Sequence, residues 1–79
     1  MCMFKNDPND IYNIIGKNIK KFRKLKGLKQ RELAESLYLS ENFIAKLESA
    51  TRQTISIDTL EEIANVLNCD IREFFNKDN

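Results

Sequence analysis

Seventy-nine residues with 42% hydrophobic content make one small folded domain, too apolar for disorder. No apolar run approaches the length of a membrane span, and the N-terminus MCMFKNDPND lacks the apolar core of a signal peptide, so the expected compartment is the cytoplasm. There is no histidine, and Cys2 and Cys69 lie far apart, which excludes a zinc site of ordinary spacing and favours reduced thiols.

The net charge is only +1, but it is unevenly spread. From Lys17 to Arg31 there are eight basic residues and no acidic one, while Gln53 to Asn79 holds six acidic and two basic residues. One end of the molecule is therefore basic and suited to phosphate.

Taken in order, Asp7-Pro8 reads as a helix start, with Asp as cap and Pro at the first helical position. Ile11, Ile15, Ile19, Phe22 and Leu25 follow at spacings of four, four, three and three, an apolar stripe on a helix that ends near Lys26. Gly27 is its left-handed stop, and Gly16, inside it, marks the close approach of another backbone. Lys29 to Tyr38 is a second helix, with Leu33, Ala34 and Leu37 on one face. Gln30 stands at its N-terminus, where free N–H groups suit a phosphate, and Arg31 adds a second phosphate contact. Leu39 plugs the turn, Ser40 caps a third helix running to about Ser49, and Ile44 and Leu47 are that helix's inner face.

Two short helices about a tight turn form a helix-turn-helix, whose second helix can lie in the DNA major groove. Its outer face is Glu41, Asn42, Ala45, Lys46 and Ser49. Asn bonds an adenine edge in two places, Lys reaches guanine acceptors, and Glu accepts from cytosine, so Glu41, Asn42 and Lys46 are the candidate base readers. Phe43 has two readings: a contact to thymine methyls or sugar, or packing against Tyr38. Ser40, Thr51 and Arg52, with Gln30 and Arg31, are the candidate DNA-backbone contacts. Ser56 or Asp58 caps a fourth helix with Leu60, Ile63, Ala64 and Leu67 buried and Asn68 as its stop. Asp70 caps a short fifth helix. Its Ile71, Phe74 and Phe75 exceed what a small core readily hides, which points to a dimer contact.

These residues resemble the Cro/cI-type helix-turn-helix family, the lambda-repressor-like DNA-binding domains. The family's run of Gln, Leu-Ala, an apolar turn residue, Ser, Ile and Leu-Glu is matched by Gln30, Leu33-Ala34, Leu39, Ser40, Ile44 and Leu47-Glu48. The likeness extends from about Ile15 to about Phe75. It implies a backbone contact for Gln30, base contacts for Glu41, Asn42 and Lys46, and a structural ion pair between Arg23 and Glu48. Three positions depart. Tyr38 stands where the family has Gly, so that the turn is either strained or rebuilt. Lys29 replaces the usual Ser or Thr cap, and Ala50 the Gly that follows the third helix.

The expected fold is all-α, a compact five-helix lambda-repressor-like domain over residues 11–76. The motif lies at 30–49, with tails at 1–10 and 77–79. The expected function is sequence-specific binding of double-stranded DNA by a homodimer on a two-fold symmetric operator, as a small stand-alone repressor of the phage or restriction–modification-controller type. No enzyme, cofactor, metal, membrane or small-molecule ligand is expected: no Gly-rich phosphate loop or nucleophile–base pair is visible, and five short helices leave little interior volume. The competing reading is a protein-interaction module on the same fold, antitoxin-like or bridging, suggested by the acidic C-terminal half and by Glu41 at the reading end.

Overall fold

The computed structural model describes residues 7–77, so Cys2 lies outside the described residues. The elements run α1 Ile11–Leu25, α2 Gln30–Ser36, α3 Glu41–Glu48, α4 Ile57–Leu67 and a 3-10 helix Ile71–Phe75. There is no strand among the described residues. The fold is all-α, and the expected fifth helix is the tighter 3-10 form.

The start of α1 differs from the sequence reading. Its cap is Asp10, whose carboxylate accepts from the Tyr12 N–H at 2.9 Å. Asp7 and Pro8 form a turn ahead of the helix, closed by the Asp10 N–H donating to the Asp7 carbonyl at 3.1 Å. Asp at the first and Pro at the second position suit a β-turn as well as a helix start, and here the turn wins. Asp10, placed in the N-terminal tail by the sequence reading, is buried.

The burial pattern of α1 is also broader than one stripe. Ile14, Ile15 and Ile19 are buried, whereas Ile11 and Leu25 at the two ends are exposed. The helix packs against α3 and against the 3-10 helix, so its buried arc is wide and its ends overhang the core. At its C-terminus, Gly27 adopts φ +76°, the Gly27 N–H donates to the Lys24 carbonyl and the Leu28 N–H to the Arg23 carbonyl. This double closure is a Schellman cap.

The core joins Ile15 and Ile19 of α1, Leu33 and Ala34 of α2, Ile44 and Leu47 of α3, Leu60, Ile63, Ala64 and Leu67 of α4, and Phe74. Ser56 caps α4, accepting from the Thr59 N–H at 3.1 Å, and Asn68 ends it in the left-handed conformation. Phe74 is fully buried and meets Phe22 edge-on, with ring centroids 6.0 Å apart. Its assignment to a dimer contact is therefore corrected: the monomer core absorbs it. A buried amide, unforeseen from sequence, holds the 3-10 helix in place. Asn18 Nδ2 donates to the carbonyls of Phe74 at 2.8 Å and Asn76 at 2.9 Å.

Asp70 caps the 3-10 helix and holds Arg72 through a 2.7 Å ion pair, which lowers the Asp70 pKa to about 2. Cys69 is half-buried, and burial, aided by Glu73 and Asp70, raises its thiol pKa.

Candidate nucleic-acid interface

Helix α3 is short, so its position depends on what holds it. At its N-terminus the Ser40 hydroxyl accepts from the Phe43 N–H at 3.0 Å. Along its inner face Ile44 and Leu47 are buried. On its α1 side the helices approach so closely that a Cβ on Gly16 would lie 1.8 Å from the Leu47 carbonyl oxygen. Only glycine permits that approach.

The C-terminal end of α3 is held by ions. Arg23 Nε donates to Glu48 Oε2 at 2.7 Å, and its Nη2 donates to Glu48 Oε1 at 2.9 Å. Its remaining branch, Nη1, donates to the Leu28 carbonyl at 2.7 Å. The side chains are 8% and 2% exposed, so this is a buried, two-pronged pair with its fork fully used. Glu48 also accepts from Gln30 Nε2 at 3.0 Å. One carboxylate thus ties the end of α3 to the last turn of α1 and the first residue of α2.

This arrangement leaves the other side of α3 in solvent. Glu41, Asn42 and Lys46 are exposed there. Asn42 and Lys46, one turn apart, share a face. Glu41 stands in the first turn, where the helix dipole favours a carboxylate. Phe43 is half-buried and packs against the core, while Tyr38 is 97% exposed, so the two rings do not pack together.

The candidate backbone contacts divide. Arg31, Ser40 and Thr51 are exposed, and the Thr51 and Ser49 hydroxyls lie 2.8 Å apart. Gln30 is half-buried with its amide N–H held by Glu48. Arg52 is turned inward: its Nε donates to the buried Asp10 carboxylate at 2.8 Å, and its guanidinium stacks 5.1 Å from the Tyr12 ring centroid. Its backbone N–H donates to Asn13 Oδ1 at 2.7 Å. The structure gives Arg52 a bracing role at the start of α1.

Helix α2 starts without the usual hydroxyl cap. Instead the Glu32 carboxylate accepts from the Lys29 N–H at 2.7 Å. The helix ends at Ser36, two residues before the sequence reading, because Tyr38 takes φ +57°. The turn is the strained alternative: the Tyr38 N–H donates to the Glu35 carbonyl and the Leu39 N–H to the Ala34 carbonyl, as in a glycine-closed turn. Ala50, after α3, also has a positive φ of 60°.

A family model described as helix-turn-helix matches residues 19–74, which includes all of α2, α3 and α4. The chain belongs to the Cro/cI-type helix-turn-helix family. Domains of this family are DNA-binding helix-turn-helix units. The HTH-type transcriptional regulator SinR of Bacillus licheniformis is 31% identical over 64 residues. That match takes in 81% of this chain but 58% of SinR, so the chain spans little more than half of that relative's length. The crystal structure of the clp gene regulator ClgR from C. glutamicum superposes with a TM-score of 0.78 at 25% identity, covering 86% of this chain and 87% of that one. A hypothetical transcription factor, NHTF from Neisseria, shares the fold with a TM-score of 0.78 at 24% identity, over 96% of this chain and 86% of its own. Among the described residues no helix is long and apolar enough to cross a membrane.

Proposed function

We propose that this helix-turn-helix chain binds duplex DNA sequence-specifically and regulates transcription as a homodimer on a two-fold symmetric operator. The observation that carries the reading is the two-sidedness of α3. Ile44 and Leu47 are buried, while Glu41, Asn42 and Lys46 are exposed on a helix held rigidly at both ends. In this reading Asn42 and Lys46 contact base edges, and Glu41 selects against or accepts from a base at the groove entrance. Arg31, Ser40 and Thr51 contact phosphates, and Gln30 does so with its amide oriented by Glu48. Arg52 supports the structure rather than the DNA.

A dimer would set two α3 helices about 34 Å apart, one turn of the duplex. Phe75, 39% exposed, and the half-buried Ile71 are the apolar residues of the 3-10 helix that remain for that contact once Phe74 is internal. Repression by a small regulator of the phage or restriction–modification-controller type is the form of regulation proposed.

The test is a gel shift on DNA upstream of the chain's own gene at two salt concentrations, with Asn42→Ala/Lys46→Ala alongside. A specific shift that weakens with salt and is abolished by the double substitution supports the reading. No shift on any upstream DNA, together with a tight protein partner in pull-down, would instead assign the chain to protein interaction.

A further inference from the structure

Two helices carry the same pattern with opposite charge. On α1, Lys17, Lys20, Lys21 and Lys24 follow a spacing of three, one and three. On α4, the acidic Asp58, Glu61 and Glu62 and the neutral Asn65 follow the same spacing, three negative charges against four positive ones. That spacing keeps four side chains within an arc of roughly 100° on a helix. All eight residues are exposed. Among the described residues the ion pairs are Arg23–Glu48, Arg52–Asp10 and Arg72–Asp70, and none of them draws on either stripe. The Lys21 ammonium lies 5.7 Å from the centroid of the Phe22 ring, which leaves its charge unmatched. Each stripe is also edged by an exposed aliphatic one turn from a charge. Leu25, 72% exposed, flanks Lys21, and Ile57, 65% exposed, flanks Glu61.

Both stripes face solvent in the same molecule and do not meet within the chain. We infer that the occupant of each is the other stripe of a second copy: α1 of one molecule docks on α4 of the next. The lysine pattern of three, one, three reads the same from either end, so the three acidic groups of α4 each meet a lysine whether the two helices run parallel or antiparallel, and one lysine at the end is left over. Leu25 and Ile57 then cover apolar surface at the margins of the contact. One such contact leaves a free basic stripe at one end of the pair and a free acidic stripe at the other. The association therefore extends to further copies unless a rotation closes it. It does not use Ile71 or Phe75, so it is separate from the proposed dimer contact. On DNA it would favour occupation of neighbouring sites.

Exposed ion pairs are individually weak and strongly screened, which makes salt the first test. Sedimentation velocity of the full chain, without DNA, should show a mass that rises with protein concentration at about 50 mM salt. The association should weaken by about tenfold or more at about 500 mM salt. Lys20→Glu/Lys21→Glu should abolish it, and so should Glu61→Lys/Glu62→Lys. The variant carrying all four substitutions regains the complementary pattern and the original net charge, and should associate again. Far-ultraviolet circular dichroism checks that each variant is folded. The inference is overturned if low-salt association is absent, if either pair of substitutions leaves it intact, or if the combined variant fails to restore it. It is equally overturned if Lys20→Glu/Lys21→Glu loses DNA binding while self-association persists, which would assign the α1 stripe to phosphates. Because the association is measured without DNA, its failure is distinct from a failure of the DNA-binding reading.

Discussion

Gly16→Ala tests how closely α1 must approach α3. Two effects oppose each other. Alanine is the better helix former by about 1 kcal/mol, so at an exposed helical site the substitution would stabilise. At Gly16, however, the new Cβ would lie 1.8 Å from the Leu47 carbonyl oxygen and 2.8 Å from its carbon. Ordinary contact begins at 3.4 Å, so the two backbones must part by roughly 1.6 Å. The obstacle is backbone, which cannot rotate away as a side chain can. Parting the helices loosens Ile15 and Ile19 against Ile44 and Leu47, all buried. Overpacking of this kind costs about 1–3 kcal/mol where side chains yield, and more where backbone must move. The clash wins, and a net loss of about 2–3 kcal/mol is expected. That is a large share of the roughly 4–12 kcal/mol available to a domain of this size. Urea denaturation followed by circular dichroism should show the midpoint falling by about 1–2 M. DNA affinity should fall as well at temperatures where the variant is still folded, because α3 is displaced. An unchanged or raised midpoint would refute the reasoning, since it would mean that α1 and α3 have room to spare.

The same reasoning, local geometry set against measured stability, gives four further expectations. Tyr38→Gly should raise stability by about 1 kcal/mol, seen as a higher Tm, because it relieves a left-handed tyrosine whose ring is 97% exposed and packs on nothing. A lower Tm would mean that the ring contributes to folding. Arg23→Leu should cost about 3–5 kcal/mol by stranding the buried Glu48, and lost DNA binding with undiminished stability would contradict its structural role. Asn18→Ala should cost about 1–3 kcal/mol in urea, since the carbonyls of Phe74 and Asn76 lose their buried donor. Asp70 should titrate by NMR with a midpoint near 2, since its hydrogen bonds to Arg72 favour the ionised form. Its folded pKa is depressed, so its contribution is present above the ordinary carboxylate range and lost as pH falls through about 2. In Arg72→Ala the midpoint should return to that ordinary range.

Elements whose evidence was local were legible in the sequence. Ser40 before an amphipathic run, Gly27 after a basic one and Asn68 after a buried stripe each signal a terminus by their own chemistry, and in the structure Ser40 starts a helix while Gly27 and Asn68 follow helix ends. Gly16 was legible for a similar reason, because a glycine kept in a helix interior needs an explanation from outside it. What the sequence hid was of another kind. Asp7-Pro8 fits a turn and a helix start equally, and the contacts that accompany the turn, Arg52 to Asp10 and Asn13 to the Asp7 carbonyl, come from farther along the chain. Arg52 itself was read as a phosphate contact because nothing local shows that its partner is forty-two residues earlier. Phe74 was read as surplus apolar area because the depth of a core cannot be judged from one terminal turn. Asn18 did leave a trace: it falls on the α1 stripe seven residues after Ile11, a polar group where an apolar one belongs, and the structure turns it into a clamp.

The Glu48 site raises a question that stability alone does not answer. A carboxylate at the C-terminus of a helix is opposed by the helix dipole, and burying it adds a desolvation penalty. Arg23 and Gln30 offset both with three hydrogen bonds, yet a well-packed apolar pair of similar volume would often do as well for folding. What an apolar pair would not do is fix direction. The guanidinium fork donates to the carboxylate in one plane, and its third branch donates to the Leu28 carbonyl in the α1–α2 connection. The end of α3 is thereby set in angle as well as in depth, and Gln30 is aimed by the Glu48 carboxylate, to which its amide N–H donates. Aim matters little to a core, but under the proposed DNA-binding reading it decides whether Asn42 and Lys46 reach base edges or miss them. The placement of an expensive charge at the inner end of α3, opposite an exposed polar face, is therefore better explained by the positioning of that face than by the stability of the fold.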